Sequence, residues 1–383
     1  MHNNRIKKTI MPIFWSNHCL LIVLLVTTIR MSSSVAPKNI VVVGGGIQGV
    51  SVAFHLSKAT PSETKITVLE ANAAASAASG KGGGFMARSW GDGTSTQSLH
   101  ELAFDMYGTL AAELGCTSYR KLPVLSVSPG YKGGVKAARN DKTLGAMMPT
   151  WLDGDVGRIS PLGYGDDTAQ ITPKEFVEKM LENSGDKVDV VLGTCTGVET
   201  EQGSAPGSCK VVGVKYIPRN LGLEGEGHDQ VEDILPADAM VVSAGPWSCA
   251  AEDWFQGAVE LPMEGVKSTS IVWKKPEEFD VDATALFCGE DDRFGTHLEV
   301  YPRPDGTIYI CGIGGSDYVT REELKVGAFR DECNPNESRV KAASSSFQEM
   351  SSVYKKVGTL DRTAACMRPC PPDAKPYMGT IPG

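Results

Sequence analysis

The sequence predicts an α/β protein built on a dinucleotide-binding βαβ unit that starts at Asn39. Three observations carry this. A β-branched run, Asn39 to Val43, passes directly into Gly44-x-Gly46-x-x-Gly49 and then into an apolar-faced helical stretch. A second buried run, Lys65 to Leu69, ends at Glu70, 21 residues after Gly49. Far downstream, His297 to Arg303 and Thr307 to Cys311 flank Pro304-Asp305-Gly306, a hairpin signal that places an antiparallel pair outside the βαβ unit.

Length and charge bound the rest. At 383 residues the chain allows two domains, or one with a second inserted into it. An apolar fraction of 41% with 22% charged residues belongs to an ordinary globular protein rather than a disordered one. The net charge of −9 argues against nucleic acid as a partner, because binding it needs a dense basic face. Ten cysteines are scattered without a CxxC pair, and six histidines form no HxxxH pattern, so the thiols read as reduced and no metal site is expected.

The N-terminus supports two readings. Arg5, Lys7 and Lys8 precede an uncharged, mostly apolar run from Cys19 to Ile29, about the length of a signal-peptide core and too short for a stable membrane span. Ser34-Val35-Ala36 then offers small residues for cleavage, which implies targeting to the secretory pathway or an organelle. Alternatively translation starts at Met31, and the protein is cytoplasmic.

The elements follow in order. Val50 to Ala59 reads as a helix broken by Pro61 and Ser62. From Ala71 to Gly84 the chain is almost all Ala, Ser and Gly, suited to the close approach of a ligand. Leu99 to Leu114 looks helical, Pro123 to Val127 extended, and Thr172 with Pro173 opens a helix running to Glu182. Val188 to Leu192 and Lys210 to Ile217 read as strands separated by a polar, turn-rich piece. Asn220 to Asp233 reads as a surface loop, and Ala239 to Ser243 as a buried strand ending at Ala244-Gly245-Pro246-Trp247. No internal repeat is found.

The glycine loop has a physical task. Gly44 permits the tight turn off the strand, Gly46 lets backbone approach a pyrophosphate, and Gly49 lets the helix pack close to the strand. The N–H groups around Ile47 and Gln48, with the helix dipole, then hold the phosphate charge. Glu70 can bond both ribose hydroxyls of an adenosine half and disfavours a 2′-phosphate. These features alone leave FAD and NAD open.

Further blocks make the difference. Ala78-Ser79-Gly80-Lys81-Gly82-Gly83-Gly84-Phe85 resembles the second FAD loop of the D-amino-acid-oxidase-like family, which includes glycine and sarcosine oxidases. Val241 to Ser248, with Gly245 and Trp247, resembles that family's strand and turn beside the flavin. Cys366-Met367-Arg368-Pro369, Pro372-Asp373 and Pro376-Tyr377-Met378-Gly379 resemble its C-terminal signature. The resemblance runs from residue 38 to the end.

It implies a Rossmann-like FAD-binding domain interleaved with an antiparallel-sheet (α+β) substrate domain. After a leader over 1–37, the FAD-binding parts would be 38–128, 171–250 and 361–383, and the substrate parts 129–170 and 251–360. It implies FAD contacts at Gly44, Gly46, Ile47, Gln48, Gly49, Glu70, Ala71, Ser79, Gly80, Lys81, Gly82, Gly245 and Trp247, with the backbone of Val198 meeting the adenine. Arg368 matches the arginine that grips a substrate carboxylate, a task suited to a permanently charged fork. The other reading of Arg368 is a structural pairing with Asp373. A cysteine near Cys366 is bonded to the flavin in sarcosine-oxidase relatives, but Met-Arg-Pro following it is closer to members with non-covalent FAD. Tyr301 and Arg303 are candidate contacts in a cavity over the flavin. His297 and Glu299, on the same alternating strand, read as the solvated face of a half-buried sheet.

The reaction implied is oxidation of a primary or secondary amine or amino acid, by hydride transfer to flavin N5 and hydrolysis of the imine. Electrons would pass to dioxygen or another acceptor. Two rivals are a non-catalytic FAD-binding member acting through partners in membrane traffic, and an NAD-dependent dehydrogenase. The chain stops at Gly383, where the family continues into a glycine-rich turn and a final helix at the flavin, so it reads as C-terminally incomplete.

Overall fold

The computed structural model describes residues 36–203, 208–219, 231–277 and 279–381. The leader to residue 35 and residues 220–230 of the predicted surface loop lie outside these. A six-stranded sheet takes β1 (Asn39–Val43), β2 (Lys65–Glu70), β8 (Val188–Gln202), β9 (Cys209–Pro218), β10 (Asp233–Pro236) and β11 (Ala239–Val242), in the order β10-β9-β8-β2-β1-β11. An eight-stranded sheet takes β5 (Val124–Pro129), β6 (Val156–Gly163), β12 (Glu264–Trp273), β13 (Ala285–Cys288), β14 (Glu299–Pro302), β15 (Ile308–Cys311), β16 (Asp317–Val319) and β17 (Leu360–Cys370). Between them lies a small sheet of β3 (Phe85–Ala87), β7 (Thr168–Gln170) and β4 (Arg120–Lys121).

In the first sheet β8, β2, β1 and β11 run parallel. β1 is apolar on every residue after the first because both of its faces are covered. Ile40 and Val42 pack with Ala53 of the helix Ile47–Ala59, while Val41 and Val43 pack with Val214 and Tyr216 of β9. The anticipated break after Leu192 does not occur. β8 continues to Gln202, leaving β2 at Leu192 and turning antiparallel to β9, with register shifts between Cys195 and Gly197 and between Glu199 and Thr200. Gly193, Thr194 and Thr196 read as turn residues in isolation, but pairing along β9 absorbs them into a bulged strand. The helix Pro173–Glu182 starts after Thr172 as expected, with Pro at its first turn.

The second sheet is antiparallel except where β13 runs parallel to β5. Its hairpin forms as read: Arg303 and Thr307 close it, and Gly306 takes φ +82. One face carries Leu125, Ile271, Trp273, Val300 and Ile310 and is covered by the helix Glu337–Met350. Asn336 caps that helix by accepting from the Ser338 and Arg339 N–H groups. Ala343, Phe347 and Met350, spaced on one side, face the sheet. Two expected boundaries shift. β5, expected within the first FAD-binding segment, pairs with β13 and β6. β17, expected within the third, pairs with β12 along nearly its whole length, because long-range strand pairing outranks chain proximity.

Phe347 is fully buried among Trp151, Trp273 and Tyr354, with ring centroids 5.9, 5.8 and 4.9 Å away. Truncation there leaves a cavity that these rigid rings cannot close. Phe347→Ala should cost about 3–5 kcal/mol, read as a lower urea midpoint. A midpoint equal to wild type would mean that this helix is not packed on the sheet in this way.

Candidate cofactor and substrate site

The first half of the site is the carboxyl edge of the parallel sheet. Gly44 takes φ +107, and a Cβ there would sit 2.4 Å from the Ser243 carbonyl oxygen. A Cβ on Gly49 would sit 1.9 Å from the Gly44 carbonyl oxygen, so the helix Ile47–Ala59 approaches its own turn as closely as glycine allows. That helix has no acidic residue in its first turn, and Gly46 caps it without a side chain. The Ser79 hydroxyl lies there instead, accepting from the Ile47 N–H at 2.9 Å. A positive helix end beside a hydroxyl and a bare glycine backbone suits a pyrophosphate. Gln48, exposed in the same turn, adds its backbone N–H to that edge.

Glu70 ends β2 within this cradle. Its Oε2 accepts from the Gly45 N–H at 2.7 Å and its Oε1 from the Asn72 N–H at 2.9 Å, which fixes the carboxylate while lone pairs remain for hydroxyl donors. Arg219 donates to the Ala71 carbonyl at 3.0 Å and to the Asn72 side chain. Nothing in the sequence pointed to Arg219, which lies 149 positions after Glu70. Val198 pairs with Val214, six positions beyond the Leu192 that is level with Glu70, and Val214 packs with Val43 and Leu69. Cys195, three residues earlier, packs near Val43 and Leu69.

The second loop connects this edge to the eight-stranded sheet. Gly80 packs against the Ala75 carbonyl, where a Cβ would sit 1.9 Å away. Lys81 donates to the Ala365 carbonyl of β17 at 3.1 Å, and the Gly82 carbonyl accepts from Arg303 at 3.3 Å. A Cβ on Gly83 would lie 2.5 Å from the Tyr301 ring and 3.0 Å from Tyr309. A cavity of about 180 Å³ adjoins the loop, lined among others by Lys81, Trp247, Cys333 and Cys366. Gly245 takes φ +58, and the Trp247 indole donates to the Ala328 carbonyl at 2.9 Å. The donors, glycine approaches and anchored carboxylate present fit FAD.

The face of the eight-stranded sheet away from the helix Glu337–Met350 carries the polar residues. Glu299 stands level with Cys311, and Tyr301 with Tyr309. Tyr301 is buried and stacks on Phe85 with centroids 5.4 Å apart, and burial pushes its phenol far up. Arg303 is buried over the Tyr309 ring at 5.0 Å. Burial, then the nearby Arg362 charge, lowers its pKa. Tyr301 and Arg303 therefore form wall and strut. Arg368 differs: it is exposed on β17, and Asp373 bonds the Lys375 N–H rather than the guanidinium. Glu299, expected on a solvated face, is half-buried and accepts from the Tyr301 hydroxyl at 2.5 Å and the Cys311 thiol at 3.4 Å. Tyr309 and Cys311 went unnoticed in sequence, although alternation on the hairpin's second strand marks them as a pair. His297 is exposed, as expected.

Among the described residues all nine cysteines are free, no group of acidic, histidine or cysteine side chains could hold a metal, and no helix is long and apolar enough to cross a membrane. The Gly44–Gly49 turn generates a direct test. Gly49→Ala should yield protein with a much reduced flavin absorbance per chain, because the added methyl pushes the helix off the Gly44 carbonyl. Ser79→Ala, which keeps the fold, should weaken FAD binding by about 10-fold, the worth of one hydrogen bond to a charged group. Wild-type affinity in Ser79→Ala would remove the hydroxyl from the cofactor site.

Comparison with known proteins agrees with this geometry. The family model described as FAD dependent oxidoreductase matches residues 39–383. A Saccharomyces cerevisiae protein, named only as an oxidoreductase, is 34% identical over 75% of this chain and 75% of its own length. A Schizosaccharomyces pombe protein, named in the same way, is 28% identical over 72% of this chain and 70% of its own. Among solved structures, glycine oxidase from Geobacillus kaustophilus superposes with a TM-score of 0.62 at 14% identity, covering 89% of this chain and 86% of that one. L-amino acid deaminase from Proteus myxofaciens gives 0.63 at 13% identity, covering 88% and 82%. L-proline dehydrogenase from P. horikoshii gives 0.61 at 17%, covering 90% and 84%. At such identities the structural likeness is one of fold, and the family match supplies the rest: the chain belongs to the D-amino-acid-oxidase (DAO) family of FAD-dependent oxidoreductases.

Proposed function

We propose that the chain oxidises an amino acid, or a related primary or secondary amine, at the carbon next to nitrogen, and that the imine then hydrolyses in water. The observation that carries this reading is Arg368. Its guanidinium is exposed on the polar face of the eight-stranded sheet and has no carboxylate partner of its own among the described residues. An uncommitted planar fork on this face suits a substrate carboxylate. The names of the three structural neighbours, glycine oxidase, L-amino acid deaminase and L-proline dehydrogenase, support the same substrate class.

FAD, when bound, supplies the acceptor for the two electrons and the hydrogen. The chain's own residues orient the substrate and keep water away. Phe85, Phe287, Tyr301 and Tyr309 make a packed aromatic surface, and the bare Gly83 backbone sits directly on it. Such a dry, preformed wall lets orientation lower the barrier without a large rearrangement. In this reading FAD is held non-covalently. The Cys366 thiol is pushed up chiefly by burial, with Cys333 nearby adding to it, so the thiolate needed for a tether is scarce.

The experiment is anaerobic challenge of the flavin-loaded protein with amino acids and simple amines, followed by absorbance. Bleaching by an amino acid supports the proposal, and flavin that no amine bleaches overturns it. Arg368→Ala should lower kcat/KM for amino acids by about 10–100-fold, the loss of a charge-assisted contact, while carboxylate-free amines change little. Peroxide release then separates dioxygen from another acceptor. Acid precipitation should leave all the flavin in the supernatant, and yellow colour in the pellet would mean a covalent bond.

A further inference from the structure

We propose that Glu299 binds the substrate's ammonium group and takes one proton from it, and so selects for substrates that carry an amine beside the carboxylate. This rests on the amine-oxidising reading above and adds the group that makes the amine reactive.

Three observations point this way. Glu299 is half-buried, yet no lysine or arginine among the described residues forms an ion pair with it. Both of its protein hydrogen bonds, from the Tyr301 hydroxyl and the Cys311 thiol, end on Oε2. Among the described residues the Oε1 atom is therefore left without a protein donor. A carboxylate withdrawn from water is costly unless a cation or donors compensate it. The second observation is position. Strand alternation puts Glu299 on the same face as Tyr301 and Arg303, and pairing sets it level with Phe287 of β13 and Cys311 of β15. This is the face on which Arg368 also lies exposed.

The third observation is that Cys311 feels both charges. Burial first, then the Glu299 carboxylate, pushes its thiol well up, while Arg368 acts in the opposite sense. An anion and a cation thus act on one buried thiol from β14 and β17. Together they match an amino acid zwitterion, with carboxylate to Arg368 and ammonium to Glu299. The other titratable groups on this face near Glu299 are Tyr301 on its own strand and Cys311 opposite it, with Cys366 beyond, while Cys288 of β13 packs into the helix-covered core on the far face. Burial first, then neighbouring negative charge, raises Tyr301, Cys288 and Cys311, so they stay protonated near neutral pH.

The step balances simply. One ammonium N–H bond breaks, one O–H bond forms on the carboxylate, and the amine keeps the electron pair that oxidation at the adjacent carbon requires. No oxidant enters this step.

The test uses the flavin-loaded protein and Glu299→Gln, which can still accept the Tyr301 hydroxyl. The binding probes are 2-aminoisobutyrate, which has no hydrogen on the carbon next to nitrogen, and isobutyrate, the same acid without the amine. Each is titrated by its shift of the flavin spectrum. Wild type should bind 2-aminoisobutyrate more tightly than isobutyrate. Glu299→Gln should lose at least about 10-fold for the first and less than about 2-fold for the second. With the amino acid oxidised fastest in the panel, kcat/KM of Glu299→Gln should fall by about 100-fold or more near neutral pH. That deficit should shrink about 10-fold per pH unit as the pH climbs towards the amine's own pKa, because solution then supplies the neutral amine. No preference for the amine-bearing ligand in wild type, equal losses for both ligands, or a deficit constant with pH would each overturn the proposal. If wild-type flavin is bleached by no amine, the amine-oxidising reading fails and takes this inference with it. If wild type is bleached and Glu299→Gln behaves identically, only the inference fails.

Discussion

The site depends on one close approach, that of the Gly83 backbone to the rings of Tyr301 and Tyr309. At Gly83 there is no room for even a methyl group between loop and ring. This contact joins the nucleotide-binding sheet to the antiparallel sheet, because the loop begins beside the Ile47 helix end and finishes under β14 and β15. The bond from Arg303 to the Gly82 carbonyl and that from Lys81 to Ala365 hold the loop from both sides. A side chain at Gly83 would push the loop off these rings.

Burial produced by that contact sets the electrostatics. It drives the Tyr301 phenol up and the Arg303 guanidinium down. Neither group serves as a proton carrier near neutral pH, so both act as scaffold. The charges left to meet a ligand are at the edges: the positive helix end at Ile47, the anchored Glu70, the exposed Arg368 and the half-satisfied Glu299. Their arrangement separates two tasks. In the reading proposed above, phosphate and ribose contacts belong to the parallel sheet's carboxyl edge, and carboxylate and amine contacts to the antiparallel sheet's polar face.

How far the sequence reveals this varies with range. The glycine turn, the second strand ending at Glu70 and the hairpin about Asp305 are local patterns, and they form where local chemistry puts them. β8 is different. Its Gly193 to Thr196 stretch has the composition of a turn, and only the partner strand β9 makes it a bulged strand. β17 is likewise adjacent in sequence to the chain's end, yet its register against β12 places Arg368 on the polar face of the antiparallel sheet. Arg219 reaches Ala71 from a segment with no motif at all.

By itself the sequence determined the βαβ unit with its dinucleotide-binding turn and the period-2 alternation that puts Glu299, Tyr301 and Arg303 on one side of a strand. Those features depend on residues within about twenty positions of one another, where backbone sterics and hydrogen bonding decide. Only the tertiary structure decided which side of that strand is covered and which lines the site. Alternation says that side chains share a face, but the helix Glu337–Met350 takes one face of the sheet and the glycine loop takes the other. That choice turned Glu299 from an apparent surface residue into a half-buried carboxylate, because burial is a property of what packs against a strand and not of the strand.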